Sequence, residues 1–307
     1  LTHFGYIKWI AADVYRSQRR GGKVLTAMNT REEDFVEHLF ITSTHNSLMF
    51  FTNTGKVFRL KTYELPEASR TAKGTAIVNL LQLSQGEKIA AVMPVEKFDN
   101  DSLYVLMATS NGLIKKTKLS EYANIRKTGI QAITLKENDE LIDVRLTDGN
   151  NEIIMVTRHG LSIRFKEEEV RAVGRTSMGV KGIELAKDDK VVGMEPIKED
   201  NGYVLTITEN GFGKRTELEE YRCQGRAGKG VLTYKITAKT GNIVGVEIVD
   251  DDDDVMMITD NGIIIRINVN DISILGRNTQ GVTLMRTSDG GKLINIAKLP
   301  NEEQEEN

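Results

Sequence analysis

The chain has 307 residues, and its 41 Lys and Arg against 44 Asp and Glu leave a net charge of −3. Hydrophobic residues make up 39% and charged residues 28%, which is typical of a soluble globular protein, and the sequence has no uninterrupted apolar run long enough for a membrane span. A single cysteine excludes an internal disulfide and suits a reducing cytoplasm. Four histidines without ligand spacing argue against a metal site, so neither metal nor cofactor is expected in this chain.

Taken in chain order, the first recurring element is a Thr, two variable residues and a Gly. It occurs six times, at Thr2–Gly5, Thr52–Gly55, Thr109–Gly112, Thr157–Gly160, Thr208–Gly211 and Thr259–Gly262. Successive glycines are 50, 57, 48, 51 and 51 residues apart, and about 40–50 residues accommodate the four short strands of one propeller blade. The spacing predicts an all-β fold in which the whole chain forms one circular array of six blades.

Residues 74–119 show the elements expected within one repeat. Strand-length runs cover Ile77–Leu81, Lys88–Val95, Ser102–Thr109 and Leu113–Leu119, and they are too short and too rich in β-branched residues for helices. The Asn-Gly pair at 111–112, which recurs at 210–211 and 261–262, predicts a hairpin whose two central residues both have positive φ.

The two ends of the chain complement each other. The first repeat begins at its hairpin turn, and the last ends after the runs Val282–Arg286 and Lys292–Leu299, two strands short. We therefore expect the carboxyl-terminal strands and the amino-terminal hairpin to build one shared blade that closes the ring. This predicts a single domain over residues 1–299 and a disordered acidic tail over 300–307. The start at Leu1 in mid-pattern predicts a fragment of a longer protein.

The small net charge conceals a segregation of charge that follows the repeat. Six stretches each run from a turn glycine through the next strand and loop: 5–24, 55–74, 112–129, 160–182, 211–230 and 262–281. Together they hold 27 of the 41 basic residues and 11 of the 44 acidic ones, a balance of +16, and the remainder carries −19. Because equivalent positions occupy the same radial place on every blade, this pattern predicts positive charge around one circumference.

Two basic positions recur within these stretches. The fourth residue after the turn glycine is basic in five copies, as Arg59, Lys116, Arg164, Arg215 and Arg266, and the first copy has Trp9 there, beside Lys8. A second basic residue precedes a glycine by four residues, as Arg70, Arg175, Arg226 and Arg277, and by three residues at Arg126. The candidate rim also includes Lys73, Lys115, Lys214 and Lys229. A regular cationic track suits phosphate, whose neutralisation releases counterions, and no recognition-helix or zinc-finger signature is present for reading bases.

The first repeat alone contains a strongly basic, glycine-bearing loop. It reads Gln18, Arg19, Arg20, Gly21, Gly22, Lys23 and Val24, and its glycines would let backbone amides approach phosphate. The segment resembles the box motif of the carboxyl-terminal, DNA-wrapping domain family of DNA gyrase A, with Val24 where the motif usually ends in glycine. Segments 174–182, 209–216, 225–231 and 260–273 are also similar to that family's blades, so the resemblance covers essentially the whole chain.

That resemblance implies a six-bladed β-pinwheel, a disc whose neighbouring blades exchange strands and which wraps duplex DNA around its rim. Residues 18–23 would be the DNA-binding box, and Arg59, Arg175, Arg226 and Arg277 rim cations. It also implies a bacterial cytoplasmic protein in an A2B2 assembly of gyrase A and gyrase B, in which other parts use ATP and Mg²⁺ for negative supercoiling. The isolated domain is expected to be monomeric. It is also expected to have no catalysis of its own, because no tyrosine has the family's nucleophile context and residues 225–230 lack the spacing of a phosphate-binding P-loop.

Other interpretations stay open at this point. The related carboxyl-terminal domain of topoisomerase IV usually has fewer blades and no intact box. A propeller that binds protein through one face is a second class, and an enzyme site is a third, although no nucleophile–base set or carboxylate pair recurs. The acidic run Asp250–Asp254 lacks the alternating ligands of a calcium loop and is interpreted as a solvated turn.

Overall fold

The computed structural model describes residues 1–2, 4–10, 25–26, 38, 40, 42–69, 72–287 and 290–299. Within that part of the chain, regular structure consists of β-strands and short 3₁₀ turns, so the predicted all-β class is confirmed. None of the helical segments there is long and apolar enough to cross a membrane.

Most strands form five four-stranded antiparallel sheets, called blades I to V, whose strands are named in order from the inner edge to the outer edge. Blade I contains β6 (Ile89–Val95), β3 (Ser47–Thr52), β4 (Lys56–Lys61) and β9 (Ile130–Gln131). Blade II contains β10 (Leu141–Thr147), β7 (Tyr104–Thr109), β8 (Leu113–Lys118) and β13 (Val180–Lys181). Blade III contains β14 (Val191–Ile197), β11 (Glu152–Thr157), β12 (Leu161–Lys166) and β17 (Val231–Leu232). Blade IV contains β18 (Ile243–Val249), β15 (Tyr203–Thr208), β16 (Phe212–Glu217) and β21 (Val282–Thr283). Blade V contains β22 (Leu293–Leu299), β19 (Asp254–Thr259), β20 (Ile263–Asn268) and β2 (Leu25–Thr26).

A sixth, two-stranded sheet pairs β1 (Tyr6–Ile7) with β5 (Thr75–Ala76). The 3₁₀ turns cover Thr62–Glu64, Ile77–Asn79, Leu119–Tyr122, Glu167–Glu169, Leu218–Glu220 and Val269–Asp271. The inner strands β6, β10, β14, β18 and β22 lie side by side in that order, which makes the arrangement propeller-like. The described residues thus contain five four-stranded blades, so the prediction of six blades is not confirmed. Most of residues 11–37, which belong to the first repeat, lie outside the described part.

Neighbouring blades exchange their outermost strands. In blades I to IV the outer strand comes from the following repeat, as when β9 follows β8 in the chain but pairs with β4. Blade V receives β2 from the amino-terminal part of the chain, with Leu25 opposite Ile264. The carboxyl-terminal β22 therefore does share its sheet with an amino-terminal segment. That segment is Leu25–Thr26 and not the predicted hairpin around Gly5, whose strand β1 pairs with β5 instead.

The Thr-x-x-Gly segments are the hairpin turns. In the first complete copy, the Gly55 amide donates to the Thr52 carbonyl at 3.0 Å and the Lys56 amide donates to Thr52 Oγ1 at 3.1 Å. Gly55 has φ +87°. The prediction that the preceding Asn also has positive φ is wrong, since the described non-glycine residues with positive φ are Asn138, Asp188 and Ala227. One left-handed glycine suffices because the connection has three residues instead of two.

The core lies between blades and not within them. All six residues of β3 are buried, since Leu48 and Phe50 pack on one side of blade I while Met49 and Phe51 pack against blade II. Such strands carry continuous apolar runs because both faces of the sheet are covered. The same principle applies at the chain's start, where Ile7 packs with blade I and Tyr6 packs with blade V. The amino-terminal residues therefore lie between the last and first of the five blades.

Candidate nucleic-acid interface

The basic residue at the fourth position after the turn glycine points into the contact with the next repeat. Arg164 is 6% exposed, and its Nη1 donates to the carbonyls of Leu218 and Tyr221, both at 3.1 Å. Its Nη2 donates to Asp200 at 2.5 Å and its Nε to Glu152. Burial lowers the pKa of Arg164, but the hydrogen bonds and charges of the two carboxylates outweigh burial and raise it. This guanidinium joins blade III to the 3₁₀ turn of blade IV.

Equivalent contacts recur in the other repeats, each made to a carbonyl in or just after the next 3₁₀ turn. The donors and acceptors are Arg59 Nη1 to Ala123 (2.9 Å), Lys116 Nζ to Glu167 (3.2 Å), Arg215 Nε to Ile272 (2.7 Å) and Trp9 Nε1 to Leu65 (3.1 Å). Trp9 thus departs from the basic pattern in charge but keeps the donated hydrogen bond. Arg266 instead pairs with Asp254 of its own hairpin at 2.7 Å.

The burial of these residues bears on their predicted role. Lys116, Arg164 and Arg215 are 6%, 6% and 4% exposed, whereas Arg59 is exposed and lies over the ring of Phe98. A contact of the first three with DNA stays a prediction. Their partners nevertheless explain why the repeat keeps a donor at this position, since a buried charge must be paired.

The residue one position earlier is a buried lysine in blades II and IV. Lys214 donates to the carbonyls of Gly276 and Arg277, both at 2.7 Å, and Lys115 donates to the carbonyls of Ala132 (2.6 Å) and Arg175. Burial lowers the pKa of each lysine to about 8. Lys8 makes a related pair of contacts, at 2.8 Å to the carbonyls of Ser69 and Ala72. These ammonium groups bind loops that carry other predicted rim residues.

Three loops, those of Arg175, Arg226 and Arg277, present an arginine at the outer edge in the same way. Arg277 Nη1 donates to the carbonyl of Leu232, on the outermost strand of blade III, at 2.9 Å. Arg175 and Arg226 make the same contact with the carbonyls of Gln131 and Lys181, on the outermost strands of blades I and II. Each guanidinium is therefore fixed on the outer strand of the preceding blade.

A carboxylate holds the backbone of each of these arginines. The amides of Arg175, Arg226 and Arg277 donate to Glu121 (2.7 Å), Glu169 (2.9 Å) and Glu220 (3.0 Å). Among the described residues, the Nη2 groups of these three arginines have no hydrogen-bond acceptor. Arg277 also has its Nε 4.0 Å from the Glu220 carboxylate. The result is a row of partly exposed cations whose Nη1 groups are held and whose Nη2 groups are open.

The remaining predicted residues lie partly inside and partly outside the described part of the chain. Arg126 and Lys229 are exposed, and Lys73 Nζ lies 3.9 Å from the ring centroid of Tyr6. Arg70, the box residues 18–23 and the tail 300–307 lie outside the described residues. The box nevertheless comes directly before β2, the strand that joins the amino-terminal part to blade V.

Charges near the central axis are neutralised by each other. Arg145 on β10 bonds to Asp143 at 2.8 Å and to Glu195 on β14 at 2.5 Å. Burial and the nearby Glu195 raise the pKa of Glu247 on β18 well above its ordinary value, although Arg145 opposes the shift. No sequence motif indicated this cluster, because Arg145 and Glu195 are 50 residues apart and meet only when the inner strands lie side by side.

The acidic run is also paired more fully than a solvated turn would be. Asp251 bonds to Arg215 at 2.5 Å, Asp253 to Lys298 at 3.0 Å and Asp254 to Arg266. Within the described part of the chain, no group of three or more His, Cys, Asp or Glu could hold a metal ion.

The fold and its edge define a class: a strand-exchanged, propeller-like protein with arginines repeated along its outer strands. The family described as DNA gyrase C-terminal domain, beta-propeller, matches residues 1–43, 46–96, 103–148, 151–198, 202–250 and 253–300. The chain belongs to this DNA gyrase C-terminal domain family.

Individual relatives agree with the family match. The chain is 54% identical over 306 residues to the A subunit of DNA gyrase from Clostridium acetobutylicum, a match that covers 100% of this chain and 37% of that protein. It is 45% identical over 306 residues to the A subunit of DNA gyrase from Escherichia coli, covering 100% of this chain and 35% of that protein. The chain thus spans about a third of the length of these relatives.

Solved structures show the same fold. A DNA gyrase A C-terminal domain superposes with a TM-score of 0.88 at 25% identity and covers 98% of both chains. The C-terminal domain of a DNA topoisomerase IV superposes with a TM-score of 0.78 at 29% identity, covering 97% of this chain and 91% of the other.

Proposed function

We propose that this chain binds duplex DNA along the outer edge of its blades and bends it around the disc. The observation that carries the proposal is the repeated fixation of Arg175, Arg226 and Arg277 on successive outer strands. A guanidinium held at one end has already lost much of its rotamer freedom, so less is lost when it binds phosphate. Since the spacing is set by the blades and not by bases, binding is largely independent of sequence.

The exposed cations Arg59, Arg126 and Lys229, together with the partly buried Lys73 and with Arg70, would extend this edge. Lys8, Lys115, Lys116, Arg164, Lys214, Arg215 and Arg266 would support it from within, through the contacts described above. Bending costs about 1–6 kcal/mol for 40–90° over 20–30 base pairs, so several phosphate contacts are needed to offset it.

We also propose that residues 1–43 complete a sixth blade between blades V and I, within one domain over residues 1–299. The family matches this chain in six segments, the first of which is 1–43. The packing of Ile7 on blade I and of Tyr6 and Ile10 on blade V supports a position in that interval. Residues 300–307 would form an acidic tail outside the disc.

The box, Gln18 to Lys23, would bind DNA at the junction of the sixth blade and blade V, because it immediately precedes β2. In a complete gyrase A protein the bound DNA would support ATP-dependent negative supercoiling by an A2B2 assembly with gyrase B. ATP and Mg²⁺ would act in other parts of that enzyme, and this chain would have no catalysis of its own. The relatives, which are A subunits of DNA gyrase, support this role.

The proposed wrapping can be measured by topology. The chain is bound to nicked circular DNA, the nick is ligated, and the trapped writhe is read after protein removal. We expect writhe of one sign that increases with bound protein and is largely lost in the variant Arg175→Ala, Arg226→Ala, Arg277→Ala.

A matched control removes three exposed lysines away from the outer strands, Lys97→Ala, Lys136→Ala and Lys198→Ala, and so changes net charge equally. It should keep most of the trapped writhe. Equal loss in both triple variants, or no loss in the arginine variant, would contradict binding along this edge.

The box has its own test. Arg19→Ala, Arg20→Ala and Lys23→Ala together should abolish supercoiling by a complete gyrase while leaving relaxation intact, because relaxation does not need a wrapped segment. Supercoiling at the unmodified rate would exclude the proposed role of residues 18–23.

A further inference from the structure

The third residue after the turn glycine alternates in character from repeat to repeat. It is Lys8, Phe58, Lys115, Ile163, Lys214 and Ile265 in chain order. Lys115 and Lys214 are 1% and 0% exposed, so neither can contact a ligand on the surface. A cation in every second repeat, fully buried at Lys115 and Lys214 and partly buried at Lys8, needs a structural explanation, because burying a charge without partners is costly.

Lys214 is surrounded by one short loop. Its Nζ donates to the carbonyls of Gly276 and Arg277, each at 2.7 Å, and contacts the Thr279 carbonyl at 3.1 Å and Oγ1 at 3.0 Å. All four oxygens belong to the loop that carries the outer-edge residue Arg277. The buried ammonium therefore fixes the backbone conformation of this loop from its inner side.

Lys115 makes the corresponding contacts in blade II. Its Nζ donates to the carbonyl of Arg175 and, at 2.6 Å, to that of Ala132, which also accepts from Tyr122 Oη at 3.1 Å. In both blades one of the bound carbonyls is that of the outer-edge arginine itself. The lysine thus acts on the backbone of the residue whose guanidinium faces outward.

Blade III builds the equivalent loop without a lysine. Ile163 occupies the position, and the loop over residues 225–230 contains three glycines. Ala227 has φ +69°, and its amide donates to the Gly182 carbonyl at 2.8 Å. Arg226 is nevertheless fixed on the preceding outer strand like its two counterparts. The chain therefore contains both lysine-supported loops and an internal control without one.

We propose that Lys115 and Lys214 are positioning residues for DNA binding: each holds its loop so that Arg175 or Arg277 faces phosphate, without touching DNA itself. This inference rests on the proposed function of the outer edge.

The arrangement makes the phosphate contacts of Arg175 and Arg277 dependent on the protonation of Lys115 and Lys214. Burial lowers the pKa of Lys115 and Lys214 to about 8, while Glu121 and Glu220 oppose that shift and Arg175 and Arg277 add to it. The other titratable groups facing the lysines are the rings of Tyr122 and Tyr234, whose own pKa values burial raises. Between pH 7 and 9 each ammonium becomes an amine with a lone pair, and it then has fewer donors for its carbonyls.

A double-mutant cycle on blade IV tests the inference. Arg277→Ala should reduce the slope of log affinity against log salt by about 1 in the wild-type background. In a Lys214→Met background the same change should have little further effect, because the loop no longer presents the arginine. The matched cycle on blade III, Arg226→Ala with and without Ile163→Met, should give the full loss in both backgrounds.

If Arg277→Ala has no effect in the wild type, the proposed function fails at this loop. If it has the same effect in the wild type and in Lys214→Met, the outer edge stands and the positioning role is refuted.

A second measurement needs only surface variants and so does not depend on folding of the lysine variant. Affinity is measured from pH 7 to 9 for the wild type, Arg226→Ala and the double variant Arg175→Ala, Arg277→Ala. The wild type and Arg226→Ala should lose affinity as pH rises, and the double variant should show a flat profile. A flat wild-type profile, or an unchanged fall in the double variant, would overturn the inference.

Discussion

Two sets of cations occur once per repeat and differ in what surrounds them. Lys116, Arg164 and Arg215 lie on the second strand of each hairpin, where their charges meet carbonyls and carboxylates of the next blade. Arg175, Arg226 and Arg277 lie in the loops before the outermost strands, and among the described residues the Nη2 group of each guanidinium has no hydrogen-bond acceptor. The first set therefore suits the joining of blades, and the second suits a ligand.

This difference shows that a repeated basic residue has no single meaning, even in a chain with segregated charge. A cation inside the fold contributes to stability, because its removal leaves its buried partners unpaired. A cation at the edge contributes mainly to binding and is screened by salt. Substitutions of the buried cations should thus change the free energy of unfolding. Substitutions of the edge cations should change the salt dependence of DNA affinity.

The largest effect on stability is expected for Arg164→Met. The substitution removes the donor for two buried carbonyls and the partner of Glu152 and Asp200, so the free energy of unfolding should fall by about 3 kcal/mol. Urea unfolding followed by circular dichroism measures this. At salt concentrations where the variant is folded, its DNA-binding salt slope should match the wild type, and a slope reduced by a full unit would place Arg164 among the phosphate contacts.

Features that depend on local chemistry could be predicted from the sequence. The Thr-x-x-Gly turns were located because a left-handed glycine and a capping threonine act within five residues. The outer strands were harder, since a segment such as Ile130–Gln131 is two residues long and has no measurable period. For these strands the family resemblance, and not periodicity, indicated strand exchange.

Burial of the basic positions could not be predicted in the same way. Lys116 and Arg175 both recur with the repeat, but Lys116 is buried and Arg175 is not. Their surroundings depend on partners that lie 51 residues from Lys116 and 44 residues from Arg175 in the chain. One signal was available: Glu121, Glu169 and Glu220 precede the outer arginines by 54, 57 and 57 residues. A glutamate 54 to 57 residues before a repeated arginine therefore indicates an arginine whose backbone amide it binds.

An intermediate effect on stability is expected for Trp9→Phe. The variant keeps an aromatic ring against blade I but cannot donate to the Leu65 carbonyl, so unfolding free energy should fall by about 1 kcal/mol. Because Trp9 is the single tryptophan, unfolding must be followed by circular dichroism and not by tryptophan fluorescence. A variant as stable as the wild type would show that the indole hydrogen bond does not stabilise the junction.

The smallest effect on stability, and the clearest effect on binding, is expected for Arg226→Ala. Its side chain makes one exposed hydrogen bond to the Lys181 carbonyl, so unfolding free energy should change by no more than about 0.5 kcal/mol. The salt slope should nevertheless fall by about 1, because one phosphate contact is lost. Arg226→Lys separates charge from geometry: it keeps the charge but not the planar group that reaches the carbonyl and phosphate together. If lysine restores the slope but not the affinity at low salt, the fixed guanidinium matters beyond its charge, whereas full restoration of both would reduce the outer edge to a simple array of positive charges.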